Sequence, residues 1–199
     1  MNRAVTVLLA LNLLGLSTIL ARPFVLLPFA AAQSPAKSKP KDNQELSRLM
    51  DEDQADRMPP SGKSIGWKVV SARDEARLKR VKEFYSQNQL QTGNDYFNAA
   101  LILQHSNLPE DYLLAHELCV VAISMKRGIE SLAAASEDRF LVSIGRSQRF
   151  GTQYKSEGPN QPYRLYKVES GVTDNLRRIM MVPSLAEARA REAEMNKVK

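Results

Sequence analysis

The chain has 199 residues, of which 28 are basic and 22 acidic, and a formal net charge of +6 at pH 7. This length suits one domain, and the mild basic excess without a basic, aromatic-interleaved stripe argues against nucleic-acid binding. The single cysteine, Cys119, excludes an internal disulfide, so the hydrophobic core must hold the fold unaided. The apolar neighbours of Cys119 predict a buried, unreactive thiol.

The first 32 residues predict an export signal. Arg3 provides a positive amino end, residues 5–20 are continuously apolar, and small side chains at Ala30 and Ala32 suit signal peptidase. We therefore expect an exported protein, periplasmic or secreted, with membrane anchoring through an uncleaved leader as the alternative. No later stretch is apolar for long enough to cross a membrane.

A short linker is expected to separate this leader from the folded part. Residues 33–42 are rich in Pro, Ser and Lys and lack apolar periodicity, which predicts disorder. The remainder, residues 43–199, is expected to form a single helical domain. Asn43 can cap a first helix over residues 44–57, which the following proline pair stops.

Two further helices are predicted in the next fifty residues. Ser71 is expected to cap the second helix, in which apolar residues recur at helical spacing. A turn at residues 92–94 should follow this helix. A short third helix is predicted over residues 95–105, with apolar side chains along one side.

The fourth predicted helix is the centre of the fold. Pro109 suits its first position, and the helix runs to the residue before Gly128, which is its expected left-handed terminator. Because residues 113–125 are apolar nearly all round, this helix should be buried. A fifth helix is predicted over residues 129–144.

The C-terminal section has weaker signals. Residues 163–168 and 178–182 could pair as a short hairpin, and Ser184 is placed to open a terminal helix over residues 185–196. Helices dominate and their connections are short. The predicted fold class is therefore all-α, a small helical bundle with a short irregular or hairpin C-terminal section.

Polar side chains inside the apolar helices need partners. Glu117 has no cation one turn away and Arg139 has no such carboxylate, so an ion pair between the fourth and fifth helices is the economical arrangement. Asp138 can similarly meet His105, His116 or Arg149. The minimum role predicted for these residues is a satisfied polar network that clamps the helices.

The leading functional hypothesis is a polar pocket beside that network. Three neutral amides near one Gly-Thr-Gln loop suit recognition of a small ligand better than they suit acid–base chemistry. The predicted binding residues are Gln104, Arg139, Gln148, Thr152 and Gln153. We expect this pocket to bind a small polar or peptide-like ligand without a cofactor.

A cell-envelope hydrolase is the rival hypothesis. With both hypotheses in view, the sequence leaves open whether the protein is an enzyme. A histidine oriented by a carboxylate would act as general base, and the catalytic candidates are His105, His116, Glu117 and Asp138. No nucleophile elbow and no zinc-binding histidine pair accompanies them, so no metal site is predicted. A helical protein-interaction module is a third hypothesis, although no unit repeats at a fixed period. The oligomeric state stays open.

Several short motifs occur in an order that resembles a known family. They are Asp53-Gln54 with Asp56-Arg57, Gln104-His105-Ser106, Pro109-Glu110-Asp111-Tyr112, Ala115-His116-Glu117-Leu118, Asp138-Arg139 and Gly151-Thr152-Gln153. The order resembles a bacterial family of often exported proteins, classed as a domain of unknown function, with an Asp-Arg … Gly-x-x-Gln-x-aromatic-Gly-Thr-Gln signature. Phe150 stands where tyrosine is common in that signature. The resemblance implies an α-rich fold and export, and it supplies no established reaction.

Overall fold

The structure is a computed structural model that describes residues 39–60, 64–158 and 161–197. The predicted leader and the predicted linker up to residue 38 lie outside these ranges. Within them the chain is mostly helical, with seven helices and one small two-stranded sheet. The all-α prediction is therefore confirmed.

The elements divide into a helical part and a C-terminal section. The helical part contains α1 (Gln44–Arg57), α2 (Trp67–Ser86), α3 (Gly93–Leu103), α4 (Pro109–Ser124) and α5 (Glu130–Ser143). The C-terminal section contains β1 (Tyr154–Lys155), β2 (Arg164–Leu165), α6 (Asp174–Ile179) and α7 (Leu185–Met195). Among these described residues, no helix combines the length and apolar character that crossing a bilayer requires.

Local capping sets the start of the first and last helices, as the sequence predicted. The Asn43 side chain accepts a hydrogen bond from the Leu46 N–H at 3.1 Å, and α1 has the predicted bounds. Ser184 and Glu187 form a capping box in front of α7. Both caps satisfy main-chain N–H groups that have no partner inside the helix.

The predicted starts of α2 and α3 are wrong. α2 begins at Trp67, one turn before the predicted cap Ser71, because the earlier start buries Val70 in the core. α3 begins directly after Thr92, which forms a capping box with Asp95. The predicted turn is thus the first turn of a helix, since a capping box stabilises a helix start at this position.

The predicted C-terminal hairpin is half right. The strands β1 and β2 pair antiparallel, so residues 163–168 do contain a strand. Their predicted partner, residues 178–182, lies instead at the end of α6 and in the turn after it. The Thr173 side chain accepts a hydrogen bond from the Leu176 N–H, and this local cap favours a helix over strand pairing.

The helix α4 is central, as predicted, and it packs against both α3 and α5. Its buried residues in the main core are Ala115, Leu118, Cys119 and Ala122. α4 ends at Ser124, and the left-handed residue after it is Lys126 with φ of 65°, not the predicted Gly128. A non-glycine residue adopts this conformation here because it satisfies main-chain carbonyls at the end of the helix.

One face of α4 points outward, which contradicts the expected burial on all sides. Leu113, Glu117 and Val120 follow one another at about one helical turn, and all three side chains are exposed. A helix packed between only two neighbours leaves one stripe uncovered, whatever the residues on it. This rotation of α4 places the Glu117 carboxylate in water.

Candidate functional site

Six side chains of alternating charge join α1 to α2, and we call them the ion-pair chain. In order of contact they are Asp53, Arg57, Asp74, Arg77, Asp56 and Arg73, with N–O distances from 2.5 to 3.1 Å. Asp53 is fully buried. Because three carboxylates meet three guanidinium groups, the ion-pair chain balances its own charge.

His105 contacts one end of the ion-pair chain. Its Nδ1 lies 3.1 Å from Oδ1 of Asp53, whose carboxylate also accepts from Arg57 and from the Gln54 amide, each at 2.8 Å. An ionised carboxylate only accepts, so the proton lies on Nδ1 of His105. In the neutral ring the other nitrogen, Nε2, is then an acceptor.

Arg139 on α5 is a partly buried cation with no carboxylate partner in the described part of the chain. Its Nη1 donates to the main-chain carbonyl of Gln104 at 2.8 Å. Its Nε is buried and has no hydrogen-bond partner among the described residues. Burial lowers the pKa of this guanidinium, the hydrogen-bonding Tyr112 hydroxyl opposes that shift, and the positive charge of Arg57 adds to it.

These groups border one cavity of about 500 Å³, which we call the Arg139 cavity. Its lining includes Arg57, Trp67, Ser71, His105, Tyr112 and Arg139. The residues come from α1, α2, α4, α5 and the connection between α3 and α4. The cavity thus brings together two arginines, the carboxylates of Asp74 and Glu75, a histidine bound to the Asp53 carboxylate and two aromatic side chains.

Asp138, the neighbour of Arg139 in sequence, holds the Gly-Thr-Gln loop. Its fully buried carboxylate accepts from the main-chain N–H groups of Arg149, Phe150 and Thr152 at 2.7, 2.9 and 3.0 Å. It also accepts from the Thr152 hydroxyl at 2.8 Å. Four donors satisfy the carboxylate, so the geometry favours a structural role for Asp138 over a role in proton transfer.

The amides near that loop bind the loop itself. The side chain of Gln148 accepts from the Gln153 N–H at 2.8 Å and donates to the Gln153 and Tyr166 carbonyls at 3.0 Å. The Gln153 amide donates to the Thr152 hydroxyl at 2.9 Å and to the Ala135 carbonyl at 3.4 Å. These bonds form the predicted satisfied network around Asp138.

A buried arginine from α6 completes this network, and sequence reasoning did not single it out. The Arg177 guanidinium donates to the carbonyls of Arg149, Phe150 and Val172 at 3.0, 3.2 and 2.7 Å. It also pairs with Asp174 at 3.1 Å. Nothing in the local sequence distinguishes Arg177 from an exposed helix residue, because the loop carbonyls of Arg149 and Phe150 lie more than twenty residues away.

The predicted ion pair between Glu117 and Arg139 does not form. Glu117 is exposed on the outer face of α4, whereas Arg139 bonds to a carbonyl at the end of α3. His116 is partly buried, and its Nδ1 lies 3.0 Å from the Ala133 carbonyl on α5. Neither Glu117 nor His116 lines the Arg139 cavity.

Of the residues that the sequence nominated, His105 and Arg139 line the cavity, and Gln104 contributes its main-chain carbonyl. Apart from the family resemblance, sequence reasoning missed the contributions of Arg57, Tyr112 and Trp67. Arg57 could have been found from the sequence, since Asp53 and Arg57 are four residues apart, a spacing typical of an ion pair on a helix. The two aromatic residues had none.

Among the described residues, no group of three or more His, Cys, Asp or Glu side chains is placed to hold a metal ion. Comparisons of the chain with protein-family models, curated proteins and solved structures find no match. A functional proposal therefore depends on the geometry and chemistry of the Arg139 cavity.

Proposed function

We propose that the protein binds a small ligand through a carboxylate or phosphate group in the Arg139 cavity. The observation that carries this proposal is the Arg139 side chain, a partly buried cation with a buried Nε that lacks a partner among the described residues. A cation withdrawn from water without a counter-charge is unfavourable. A bound anion would supply both the missing charge and the missing acceptor.

The surrounding charges support an anion rather than a cation. The ion-pair chain balances itself, so the carboxylates of Asp53 and Asp74 are already matched by arginines. Among the charged lining residues withdrawn from water, Arg139 is therefore the one without a counter-charge in the described part of the chain. Glu75 also lines the cavity, but its side chain is exposed, and water weakens its interaction with a group bound at Arg139.

The size and polar lining of the cavity support a small ligand. About 500 Å³ falls in the usual range for small-molecule sites. The Ser71 hydroxyl can donate into the cavity, whereas the Tyr112 hydroxyl already donates to the Ser106 carbonyl, so Tyr112 and Nε2 of His105 offer acceptors. A short peptide fits the same description, because its terminal carboxylate can bind an arginine while its amides meet the other groups.

Titration calorimetry with acetate, inorganic phosphate and dialanine tests the proposal. Arg139→Gln should weaken the binding of at least one of these probes roughly ten- to hundred-fold, since a hydrogen bond to a charged group contributes about 1.5–3 kcal/mol. Arg149→Gln is the matched control, because it removes the same charge from a side chain paired with Glu137 and Glu169 outside the cavity. Equal affinities in Arg139→Gln and the wild type would refute the proposal.

A hydrolase is the second candidate, and the contact between Asp53 and His105 favours it. Nε2 of His105 could accept a proton from water that attacks an ester or amide carbonyl of the bound anion, and return it to the leaving alcohol or amine as the C–O or C–N bond breaks. Asp53 would orient the ring and stabilise its protonated form, as carboxylates do in other histidine-dependent sites. The candidate base is therefore His105, with Asp53 as its carboxylate partner.

The two histidines of the chain provide the test of this second candidate. His105→Gln should lower the turnover of an anionic ester roughly 10²- to 10⁴-fold, the usual contribution of a general base. His116→Gln is the control, because its contact is with the Ala133 carbonyl and not with the cavity. Turnover that His105→Gln leaves unchanged would eliminate the hydrolase.

A further inference from the structure

Trp67, the sole tryptophan of the chain, is 60% exposed at the start of α2. Tryptophan is usually well buried, because its ring system is the largest apolar surface among the side chains. This side chain nevertheless lines the same cavity as Arg139 and His105. An exposed aromatic surface at the edge of a polar cavity needs an explanation.

The face of α2 that borders the cavity begins with an aromatic side chain, continues with polar ones and ends with Leu78. Trp67 and Ser71 are four residues apart, and Asp74 and Leu78 continue the same face. One helical turn is about 5.4 Å. Along α2, Trp67 therefore lies about one turn before Ser71 and about two turns before Asp74.

Burial also changes across the cavity. The Nε of Arg139 is buried, and the Tyr112 side chain beside it is partly buried, whereas the Trp67 ring is largely in water. Trp67 therefore lines the water-exposed part of the cavity, toward which a ligand bound at Arg139 would extend. Ser71, Glu75 and Asn107 are also exposed in this lining, and Trp67 is the flat aromatic surface beside them.

We propose that Trp67 stacks on a planar ring of the ligand, so that the Arg139 cavity selects anions that carry an aromatic ring. This inference rests on the proposed anion-binding function and names its ligand class. Aromatic contacts of this kind contribute about two- to tenfold in affinity beyond simple burial. The anion supplies the charge interaction with Arg139, and the ring supplies the contact with the indole.

The experiment compares pairs of probes that differ by one ring: inorganic phosphate with phenyl phosphate, and acetate with benzoate. Titration calorimetry on the full chain should show that at least one ring-bearing probe binds about five- to tenfold more tightly than its partner. Trp67→Ala should remove that advantage, and Trp67→Phe should retain most of it. The tryptophan emission of the wild type should change on binding, because Trp67 is its only source.

The outcomes separate this inference from the proposed function. If probes bind through Arg139 but gain nothing from the ring, or keep the gain in Trp67→Ala, the inference about Trp67 fails and anion binding stands. If no probe binds, or Arg139→Gln has no effect, both fail. Trp67 is exposed, so its replacement should leave the fold intact, and circular dichroism of the variant checks this.

Discussion

Replacing Asp138 by asparagine should destabilise the protein strongly, although the change in size is negligible. The carboxylate accepts four hydrogen bonds in a fully buried position, two at each oxygen. An asparagine has only one oxygen there, and its NH₂ group must face two donors. The best arrangement turns the NH₂ group toward the Thr152 hydroxyl, which can accept, and leaves the Thr152 N–H without an acceptor.

The magnitude follows from these contacts. One unpaired N–H donor costs about 1–3 kcal/mol. The bonds from the Arg149 and Phe150 N–H groups persist, but each loses about 1 kcal/mol because a neutral oxygen is a weaker acceptor than a charged one. The expected loss in the free energy of unfolding is therefore about 3–5 kcal/mol. A domain of ordinary stability would still fold in buffer.

Urea denaturation followed by circular dichroism at pH 7 measures this loss. Glu137→Gln is the matched control, since it removes the same charge one residue earlier, from a partly exposed pair with Arg149. Such pairs contribute about 0–1 kcal/mol. If Asp138→Asn lost no more stability than Glu137→Gln, the loop would not depend on the Asp138 carboxylate. Thr152→Val removes one of the four bonds to Asp138 and also the acceptor of the Gln153 amide, so it should lose about 1–3 kcal/mol.

Three further predictions concern other parts of the fold. Gly151 has φ of 84° and its nearest side-chain atom lies 3.7 Å from an added Cβ, so Gly151→Ala should lose about 1–2 kcal/mol from backbone strain alone; urea denaturation that shows no loss would contradict this. Burial raises the pKa of the Cys119 thiol to about 12, so a thiol reagent at pH 8 should label it only when the protein unfolds, and rapid labelling of the native protein would count against its burial. The Arg77 guanidinium, and more weakly Arg73, hold the pKa of Asp56 below its usual 3.8. This pairing therefore stabilises the fold above pH 3.8, and the stabilisation is lost as the pH falls further. Asp56→Asn should consequently reduce the loss of stability between pH 5 and pH 2, as measured by urea titrations.

The helices could be predicted because their signals are local. A cap such as Asn43 bonds to an N–H only three residues away, and apolar spacing along α4 reports the burial of Cys119 directly. The candidate site could be predicted only in part. Arg139 does carry a buried polar atom, but its nominated partner, Glu117, lies on the outer face of α4.

The sequence by itself determined the number and type of the main helices and the presence of polar groups that their apolar surroundings could not satisfy. Only the tertiary structure decided which of those groups meet. Asp138 and Arg139 are neighbours in sequence, yet they are turned about 100° apart on α5, so one holds the Gly-Thr-Gln loop and the other borders a cavity. Asp53 reaches His105 across 52 residues. Such tertiary contacts depend on how each helix is rotated and packed against its neighbours, and no local pattern along the chain encodes that rotation.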